Sequence, residues 1–356
     1  MINNTSTKLN ALLGQYLART TPGLQYVVAN SQGTIFEFAE GWADIQNQTR
    51  MSINTTLMAY SMTKTFTALA ILQLAERRKL KLDDAIRIHL SNCPYSEKIT
   101  IRQLISHTSG IPNPIPLKWV HLAETHETFN EWAVLAKVLQ NNPRLSFKPG
   151  SKYAYSNIGY WLLGEIIEEV TKQPYVTYMS ENIFAPLRLQ KQEMGFVIPD
   201  VANCAKGYLR KYSVMNLLKG LITDGNLWGD YEGKWLRVKN HYVNGPSFGG
   251  LIGKAQSFAR FLQDQLRESS MLLNPESKEL FYTEQKNNLG KGIGMTLGWH
   301  IGNFQGVKYF FKEGGGGGFH CEMRIYPTKR FASVIMVNST EFNSNASLSN
   351  LDKVFL

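Results

Sequence analysis

The sequence predicts a mixed α/β (α+β) fold, in which an antiparallel sheet built from both chain ends is flanked by helices and interrupted by an inserted all-helical domain. Strand-like segments occur near the N-terminus and again between residues 297 and 337, whereas the pattern between them is mainly helical. The expected boundaries are an α/β domain at residues 1–75 and 226–356 and a helical domain at 76–225. A cleft between the two domains is the expected place for a binding site.

The N-terminal half contains a predicted hairpin and three predicted helices. Residues 24–29 and 34–39 are strand-like, and the four residues between them are typical of a hairpin turn. Residues 61–74 leave almost no polar face, which predicts a buried helix. Thr100 and Gln103 form a capping-box pair at the start of a short helix. A second long apolar helix is predicted at residues 158–170.

The C-terminal third returns to strands after one helix. That helix is predicted at residues 257–266. The strands that follow fit an antiparallel meander at residues 297–301, 307–311, 322–326 and 331–337, with 327–330 as its last turn. Together with the N-terminal hairpin they predict a single sheet made from both chain ends.

Composition excludes several classes of protein. The 356 residues suffice for a sizeable core, and 43% of them are apolar while 19% are charged, as in ordinary globular proteins. The net charge of +10 is scattered and forms no arginine-rich run, so we expect no nucleic-acid partner and at most a preference for anionic substrates or surfaces. Cys93, Cys204 and Cys321 lie far apart without metal-binding spacing, which predicts free buried thiols and no metal site.

The N-terminal sequence does not resemble a signal peptide. Residues 9–17 are interrupted by polar residues, and only Lys8 precedes them. The expected location is cytoplasmic as written, or periplasmic or secreted if a leader has been removed. No apolar run reaches membrane-spanning length. The expected partner is a small-molecule substrate, and the sequence gives no indication of oligomeric state.

Ser61 and Lys64 lie three residues apart at the start of the predicted helix 61–74. Residues i and i+3 share one face of a helix, so the amine is placed to remove the serine proton, which is the minimum apparatus for an acyl-enzyme. Burial requires the ammonium to be paired or lowers its pKa, and either outcome suits a base near neutral pH. The alternative is a helix start that Ser61 caps and from which Lys64 extends into solvent.

Tyr155 and Asn157 follow a proline-glycine turn and precede the predicted helix 158–170. Both side chains can project into a cleft from this junction. A phenol flanked by two lysines is expected to have a lowered pKa and to relay protons, while the Asn157 amide can orient Lys64 and bind a substrate carbonyl. The alternative is a turn tyrosine followed by a helix-capping asparagine.

Lys312 ends an apolar strand and is followed by Glu313 and the five glycines 314–318. Glycines are unfavourable in strands, so such a run indicates a close approach between backbones. A substrate lying along this strand would meet Lys312 and a glycine N–H directed into an oxyanion site. The alternative is a flexible loop with a solvated lysine.

Ser247 competes with Ser61 as the nucleophile, because residues 245–249 match the Gly-x-Ser-x-Gly elbow of α/β-hydrolases. That motif needs a helix directly after the serine, and the glycine-rich segment that follows argues against one. None of the seven histidines stands in a metal motif. His107 is predicted to be structural, and His320 is a weaker candidate for the cleft.

The order Ser61-x-x-Lys64, Tyr155-x-Asn157 and Lys312-x-Gly314 resembles the serine β-lactamase and penicillin-binding-protein superfamily. The chain is most similar to the branch of class C β-lactamases, D-alanyl-D-alanine carboxypeptidases, D-aminopeptidases and β-lactamase-like esterases. The resemblance covers residues 61–90, 99–112, 147–174, 249–262 and 314–326. It implies a β-lactamase/transpeptidase-like fold, with the serine at the junction of an α/β domain and an all-helical domain.

The resemblance also implies a role for each site residue. Ser61 would be the acylated nucleophile, Lys64 its activating partner, and Tyr155 the general base and proton relay. Asn157 would contact Lys64 and substrate, and Lys312 would tune Tyr155 or bind substrate.

The backbone N–H groups of Ser61 and Gly315 would form the oxyanion hole.

The chain departs from the family pattern at the middle residue of the third motif. This residue is usually Thr or Ser, which helps to hold a substrate carboxylate, but here it is Glu313. Its charge would repel that carboxylate if it faced the cleft. The sequence therefore predicts a serine hydrolase without a cofactor, an esterase or an amidase/peptidase acting on small acyl substrates. The alternatives are a penicillin-recognising β-lactamase or D-alanyl-D-alanine carboxypeptidase, and a catalytically silent binding homologue.

Overall fold

A computed structural model describes residues 2–95, 98–114, 118–222 and 225–356. Its helices are α1 (Ile2–Arg19), α2 (Thr63–Glu76), α3 (Ile86–His89), α4 (Ile101–Ile105), α5 (Glu131–Asn141), α6 (Asn157–Thr171), α7 (Tyr175–Met179), α8 (Val214–Ile222), α9 (Pro246–Gly249), α10 (Ala255–Leu266), α11 (Pro275–Tyr282) and α12 (Ser344–Asp352). Its strands are β1 (Gly23–Ala29), β2 (Thr34–Asp44), β3 (Thr49–Arg50), β4 (Leu57–Met58), β5 (Val120–Leu122), β6 (Met194–Gly195), β7 (Gly207–Arg210), β8 (Trp228–Glu232), β9 (Trp235–Val238), β10 (His241–Val243), β11 (Ile252–Gly253), β12 (His300–Phe304), β13 (Val307–Gly316), β14 (Phe319–Tyr326) and β15 (Phe331–Val337).

The largest sheet has seven antiparallel strands in the order β12-β13-β14-β15-β1-β2-β3. The two chain ends meet where β1 pairs with β15, in a register that places Leu24 opposite Val337 and Ala29 opposite Ala332. The predicted fold class, with an antiparallel sheet made from both ends of the chain, is therefore confirmed. The hairpin of β1 and β2 is also present, and β2 runs to Asp44, beyond the predicted end.

Both faces of this sheet are covered, which explains why every residue of β1 and β15 is buried. Successive side chains of a strand point to opposite faces. On one face, Leu24 and Tyr26 belong to a cluster with Leu9 of α1 and Leu351 of α12. On the other face, Val27 belongs to the main core, which contains α2 and α10. The sheet is thus the middle layer between two groups of helices.

Helix α2 lies at the centre of the main core. All twelve residues from Thr63 to Leu74 are buried, as the sequence predicts from the lack of a polar face. The α-helix itself starts at Thr63, because Tyr60–Met62 forms a single 3-10 turn directly before it. Ser61 therefore lies in a tight turn at the mouth of a buried helix.

The other predicted elements are present with small changes of boundary. Helices α6 and α10 match their predicted ranges closely, and the capping box of Thr100 and Gln103 starts α4. The last strands also differ in extent, since β12 begins at His300 and β13 continues through the first three glycines. Between residues 76 and 225 the chain also contains the short strands β5, β6 and β7. The division into two domains stays a prediction.

Three further findings concern the described part of the chain. No helix there has both the length and the apolar character needed to cross a membrane. No group of three or more His, Cys, Asp or Glu side chains within it is arranged to hold a metal ion. The three cysteines are each buried and free.

Candidate active site

Ser61 lies between the two side chains that the sequence places beside it. Its Oγ is 3.0 Å from Lys64 Nζ, and the Tyr155 hydroxyl donates a hydrogen bond of 2.7 Å to it. Ser61 is partly exposed, whereas the lysine is fully buried. A hydroxyl with a base on one side and a phenol on the other has the groups that nucleophilic catalysis requires.

The turn that carries Ser61 is held in an uncommon conformation. Tyr60 has a φ of 43°, in the left-handed region that few non-glycine residues adopt. Its Oη is 2.7 Å from Nε2 of His241, whose Nδ1–H donates to the Lys239 carbonyl, so Nε2 accepts a hydrogen bond from the Tyr60 hydroxyl. Burial also lowers the pKa of His241 to about 4, which keeps it neutral. The hydrogen bond fixes the residue before Ser61.

Sequence reasoning missed both Tyr60 and His241. The only signal was indirect. A Cβ added at Gly316 would lie 2.7 Å from the Tyr60 ring, so the glycine run leaves room for that ring. The glycine run indicates that another part of the protein approaches this backbone closely, but it does not show that the approaching group is the Tyr60 side chain.

Lys64 has three oxygen neighbours and no acidic partner among the described residues. Nζ is 2.6 Å from Asn157 Oδ1, 2.7 Å from the Phe248 carbonyl and 3.0 Å from Ser61 Oγ. Burial lowers the pKa of Lys64 well below its ordinary value, and the nearby Lys312 lowers it further. Because the amide and carbonyl oxygens only accept hydrogen bonds, a neutral amine donates to both and directs its lone pair at Ser61 Oγ.

Helix α9 supplies one of those contacts and also contains the alternative nucleophile. Ser247 is 1% exposed, and its Oγ lies 3.5 Å from the Trp161 carbonyl. The Ser247 carbonyl accepts a hydrogen bond from Thr67. Ser247 therefore lies inside a one-turn helix and is packed against α6, where no substrate reaches its hydroxyl. The elbow motif serves to position the Phe248 carbonyl at Lys64.

Tyr155 is enclosed on several sides. Lys64 Nζ lies 4.8 Å and Lys312 Nζ 5.2 Å from its ring centroid, and the His107 ring packs against it at a tilt, with the centroids 4.4 Å apart. The prediction that the lysines lower its pKa is wrong, because burial raises the pKa of Tyr155 above its ordinary value. Both lysines are themselves buried and tend to be neutral, so they offer little positive charge. Tyr155 is therefore a protonated hydrogen-bond donor.

Asn157 begins α6, but it does not cap the helix. Ser156 is the N-cap residue, and its side chain accepts from the Gly159 N–H. The Asn157 side chain is thus free to contact Lys64. His107, predicted to be structural, accepts the Ser156 N–H through Nδ1 and holds this junction against Tyr155.

Lys312 faces the site from β13. It is completely buried, and its Nζ has no hydrogen-bond partner among the described residues. Burial lowers the pKa of Lys312 to about 7, although Glu313 opposes the shift. Both charge states are therefore accessible near neutral pH, and the protonated form would favour ionisation of Tyr155 across its ring.

Glu313 lies on the opposite face of β13 from Lys312, since strand residues alternate. Its Oε1 accepts a hydrogen bond from His320 Nε2, and the His320 Nδ1 donates to the Thr340 carbonyl. Both ring nitrogens face atoms that only accept, so the imidazole is doubly protonated. Burial alone would lower the pKa of His320, but these hydrogen bonds outweigh it and raise the pKa. The expected free negative charge is thus neutralised by an imidazolium.

The glycines bring β13 against the backbone of the Ser61 turn. A Cβ added at Gly314 would lie 2.8 Å from the Ser61 nitrogen, closer than packing allows. Strand β12 stops pairing at Phe311, so residues 312–316 are paired with β14 alone. Gly315 and Ser61 line the same cavity. The oxyanion hole made by their N–H groups stays a prediction.

This cavity has a volume of about 130 Å³ and is mostly apolar. None of the described residues that line it is charged. Its walls include Trp119, Leu209, Met215, Leu227, Trp228 and Phe248. The indole Nε1 of Trp228 is buried without a hydrogen-bond partner among the described residues. The site therefore suits an apolar group that carries a hydrogen-bond acceptor.

Comparison with known sequences adds a family context. The family model for beta-lactamase matches residues 9–352. Protein flp of Staphylococcus aureus (strain MW2) is 30% identical over 196 residues, which make up 53% of this chain and 38% of that protein. The chain thus matches well under two thirds of the length of this curated relative.

Two solved structures show the same fold. The octameric penicillin-binding protein homologue from Pyrococcus abyssi has a TM-score of 0.80 at 23% identity, covering 98% of this chain and 76% of that one. D-amino acid amidase from Ochrobactrum anthropi SV3, in complex with L-phenylalanine amide, has a TM-score of 0.79 at 18% identity, with coverages of 99% and 98%. At such identities the likeness establishes the fold, which agrees with the predicted β-lactamase/transpeptidase-like architecture.

Proposed function

Because the chain belongs to the β-lactamase family, we propose that it is a serine hydrolase that cleaves small, uncharged carboxylic esters through an acyl-enzyme on Ser61. The observation that carries the proposal is the position of Ser61 Oγ, 3.0 Å from Lys64 Nζ and 2.7 Å from Tyr155 Oη. The neutral lysine is the base that receives the serine proton, and Tyr155 is the proton donor.

The first half-reaction follows from these protonation states. Ser61 Oγ attacks the ester carbonyl while its proton moves to the Lys64 lone pair. The C–O bond to the alcohol then breaks, and the Tyr155 phenol gives its proton to the departing alkoxide. The lysine ammonium restores the phenol proton, which leaves neutral Lys64, neutral Tyr155 and an acylated serine. Deacylation is the reverse of these steps, with water in place of the alcohol. Tyr155 passes its proton to Lys64 and takes one from water as the water oxygen attacks the acyl carbon. The bond to Ser61 Oγ then breaks, Lys64 returns the proton to that oxygen, and the acid is released.

The proposed substrate class rests on the walls of the cavity beside Ser61. The described lining is apolar and uncharged, with the free indole N–H of Trp228 as a polar contact for an ester oxygen. Penicillins and peptidoglycan stems carry a carboxylate, which needs a cation. The nearby candidates are Lys312, which is buried, and His320, which is engaged by Glu313. The geometry therefore supports uncharged esters over penicillin recognition.

Small amides are the second candidate. The amidase of similar fold acts on a related bond, and an amine leaving group needs the proton that Tyr155 supplies.

The proposal also keeps the predicted two-domain division. Ser61, Lys64 and Lys312 come from the α/β part at 1–75 and 226–356, whereas Tyr155 and Asn157 come from the helical part at 76–225.

The proposal is tested by replacing each candidate serine. We expect Ser61→Ala to lose turnover of p-nitrophenyl esters by at least about 10³-fold, since removal of a nucleophile leaves only binding and oxyanion contributions. The matched control, Ser247→Ala, removes only a buried hydroxyl and should keep most activity. Loss in the control with full activity in Ser61→Ala would contradict the assignment. Parallel assays with nitrocefin and D-amino-acid amides rank the alternatives, and inactivity on all substrates would favour a silent binding homologue.

A further inference from the structure

A second, larger cavity lies next to the one at Ser61. Its volume is about 690 Å³, within the range of small-molecule sites, and the two cavities share Val243 in their walls. We name it the Glu131 cavity after the partly buried carboxyl group in its wall. Its apolar walls include Phe129, Val176, Phe184, Met194 and Phe196.

Glu131 is the first residue of α5, and it lacks a positive partner. Its Oε1 accepts a hydrogen bond of 2.7 Å from the indole of Trp161. Within the described residues, no lysine, arginine or histidine nitrogen comes within ion-pair distance of its carboxyl. Burial raises the pKa of Glu131 to about 8, and Glu165 and Glu168 of the neighbouring α6 raise it further. The protein holds an acidic group here without supplying the cation that would stabilise its charge.

The cavity wall also carries a chain of hydrogen bonds that offers a further acceptor. His121 Nδ1 lies 2.8 Å from Asn244 Oδ1, and His121 Nε2 lies 2.9 Å from His126 Nδ1. With the amide oxygen accepting, each neutral ring donates through Nδ1 and accepts through Nε2. His121 is stacked on Phe129 at 3.7 Å, which fixes the chain in the wall. In this arrangement the Nε2 of His126 is the acceptor at the end of the chain.

We propose that the Glu131 cavity binds a small primary amine with an aromatic or branched alkyl group. The ammonium pairs with the Glu131 carboxylate, and the apolar body packs against Phe129, Phe184 and Phe196. An ammonium donates three hydrogen bonds, which suits the Glu131 carboxylate and the acceptor at His126 Nε2. This site is separate from the proposed ester hydrolysis at Ser61.

Other ligand classes fit the cavity less well. A ligand carboxylate would place a second negative charge beside Glu131, Glu165 and Glu168. Lys191 also lines the cavity, but it is exposed, as is Glu181, so their charges are solvated and contribute little. An alcohol would fill the apolar space without ionising the carboxyl.

The pH dependence of binding has a definite sign. Because the pKa of Glu131 is raised to about 8, the carboxyl is mainly protonated at pH 6, and pairing with an ammonium releases its proton. Affinity should therefore rise with pH up to about 8, by about tenfold per pH unit in the limit of full linkage. Among the described residues, the other titratable or charged groups that face this carboxyl or the cavity are Glu165, Glu168, Tyr175, Tyr242, His121, His126, Glu181 and Lys191.

Calorimetry with 2-phenylethylamine tests the proposal, with phenylacetate and 2-phenylethanol as matched probes. The protein carries Ser61→Ala, so that binding is measured without turnover. We expect the amine to bind at least about tenfold more tightly than either analogue, and Glu131→Gln to remove that preference while keeping an acceptor for Trp161. The control Glu165→Gln changes a neighbouring carboxyl outside the cavity wall and should keep the preference.

A second readout does not depend on a variant. Titrations at pH 6.5 in buffers of different ionisation enthalpy should show close to one proton released per amine bound. Equal binding of the three probes, no proton release, or an unchanged amine preference in Glu131→Gln would each overturn the proposal. None of these results depends on Ser61 being a nucleophile.

Discussion

At the scale of single residues, the burial of Lys64 decides the chemistry of the site. The lysine has no acidic partner among the described residues, and two of its three oxygen neighbours can only accept hydrogen bonds. A charged ammonium in this place would lack compensation, so the neutral amine is favoured and points its lone pair at Ser61. Tyr155, whose pKa burial raises, is left as the donor.

The base assignment predicts the pH profile of ester hydrolysis. Because burial lowers the pKa of Lys64, the neutral base persists to lower pH than for a free lysine, and kcat/KM should fall as pH drops through that lowered pKa. Lys64→Arg introduces a permanent cation that cannot act as a base, so kcat should fall by about 10²- to 10⁴-fold.

Lys312→Met distinguishes the contributions of the two lysines to the pH profile. Burial lowers the pKa of Lys312 to about 7, so in the unmodified protein Lys312 could also account for the loss of activity at low pH. We expect the limb to persist in Lys312→Met, at a somewhat higher pH because a neighbouring positive charge is removed. A limb that disappears in this variant, or full activity in Lys64→Arg, would contradict the assignment of Lys64 as base.

The pair of Glu313 and His320 predicts how substrate charge affects the rate. The hydrogen bond that His320 donates holds the pKa of Glu313 below its usual range, so the pair is neutral overall while the imidazole keeps its second proton. In His320→Gln the carboxylate is unbalanced. We expect the preference for a cationic over an anionic p-nitrophenyl ester to rise by about fivefold, equivalent to about 1 kcal/mol.

Glu313→Gln is the matched control for this charge effect. It removes the negative charge instead of its partner, so the preference should move the other way, toward the anionic ester. A rise of pH through the pKa of His320 should mimic His320→Gln in the unmodified protein. If both variants shift the preference in the same direction, the charge argument fails.

At the scale of elements, the site depends on β13 and the 3-10 turn at Tyr60–Met62 approaching backbone to backbone. The sequence predicts α2, α6 and the hairpin well, because the two helices are long, apolar segments and turn residues separate the two strands. It cannot predict that β13 continues through three glycines or that Tyr60 adopts a positive φ, since both depend on the partner element. The glycine run indicates only that some close contact exists.

Two adjacent glycines of β13 test this contact. In Gly314→Ala the new methyl group would meet the Ser61 nitrogen at 2.8 Å, so the turn must shift and kcat should fall by at least about 10²-fold. In Gly315→Ala the nearest atoms belong to His320 at 3.5 Å, an ordinary contact, and the N–H is kept. We expect this variant to keep most of its activity, as measured by ester turnover and thermal unfolding. Equal activity of both variants would contradict the account of the close approach.

At the scale of the whole molecule, the fold joins parts of the chain that are far apart in sequence. Ser61 and Lys64, Tyr155 and Asn157, and Lys312 come from three regions and meet within a few ångströms. The order of these motifs and the strands at both chain ends allow the fold class and the central residues to be predicted. The Glu131 cavity and the pairing of Glu313 with His320 arise from tertiary contacts alone, and no local pattern announces them.

The central claim is that Ser61 carries the acyl group during turnover. Its most direct test is peptide mapping by mass spectrometry after treatment of the native protein with a fluorophosphonate, compared with heat-unfolded protein. We predict one adduct on the peptide that contains Ser61, formed only by the folded protein and blocked by a p-nitrophenyl ester. An adduct on Ser247, or continued ester hydrolysis with Ser61 unmodified by a fully reacted probe, would contradict the account.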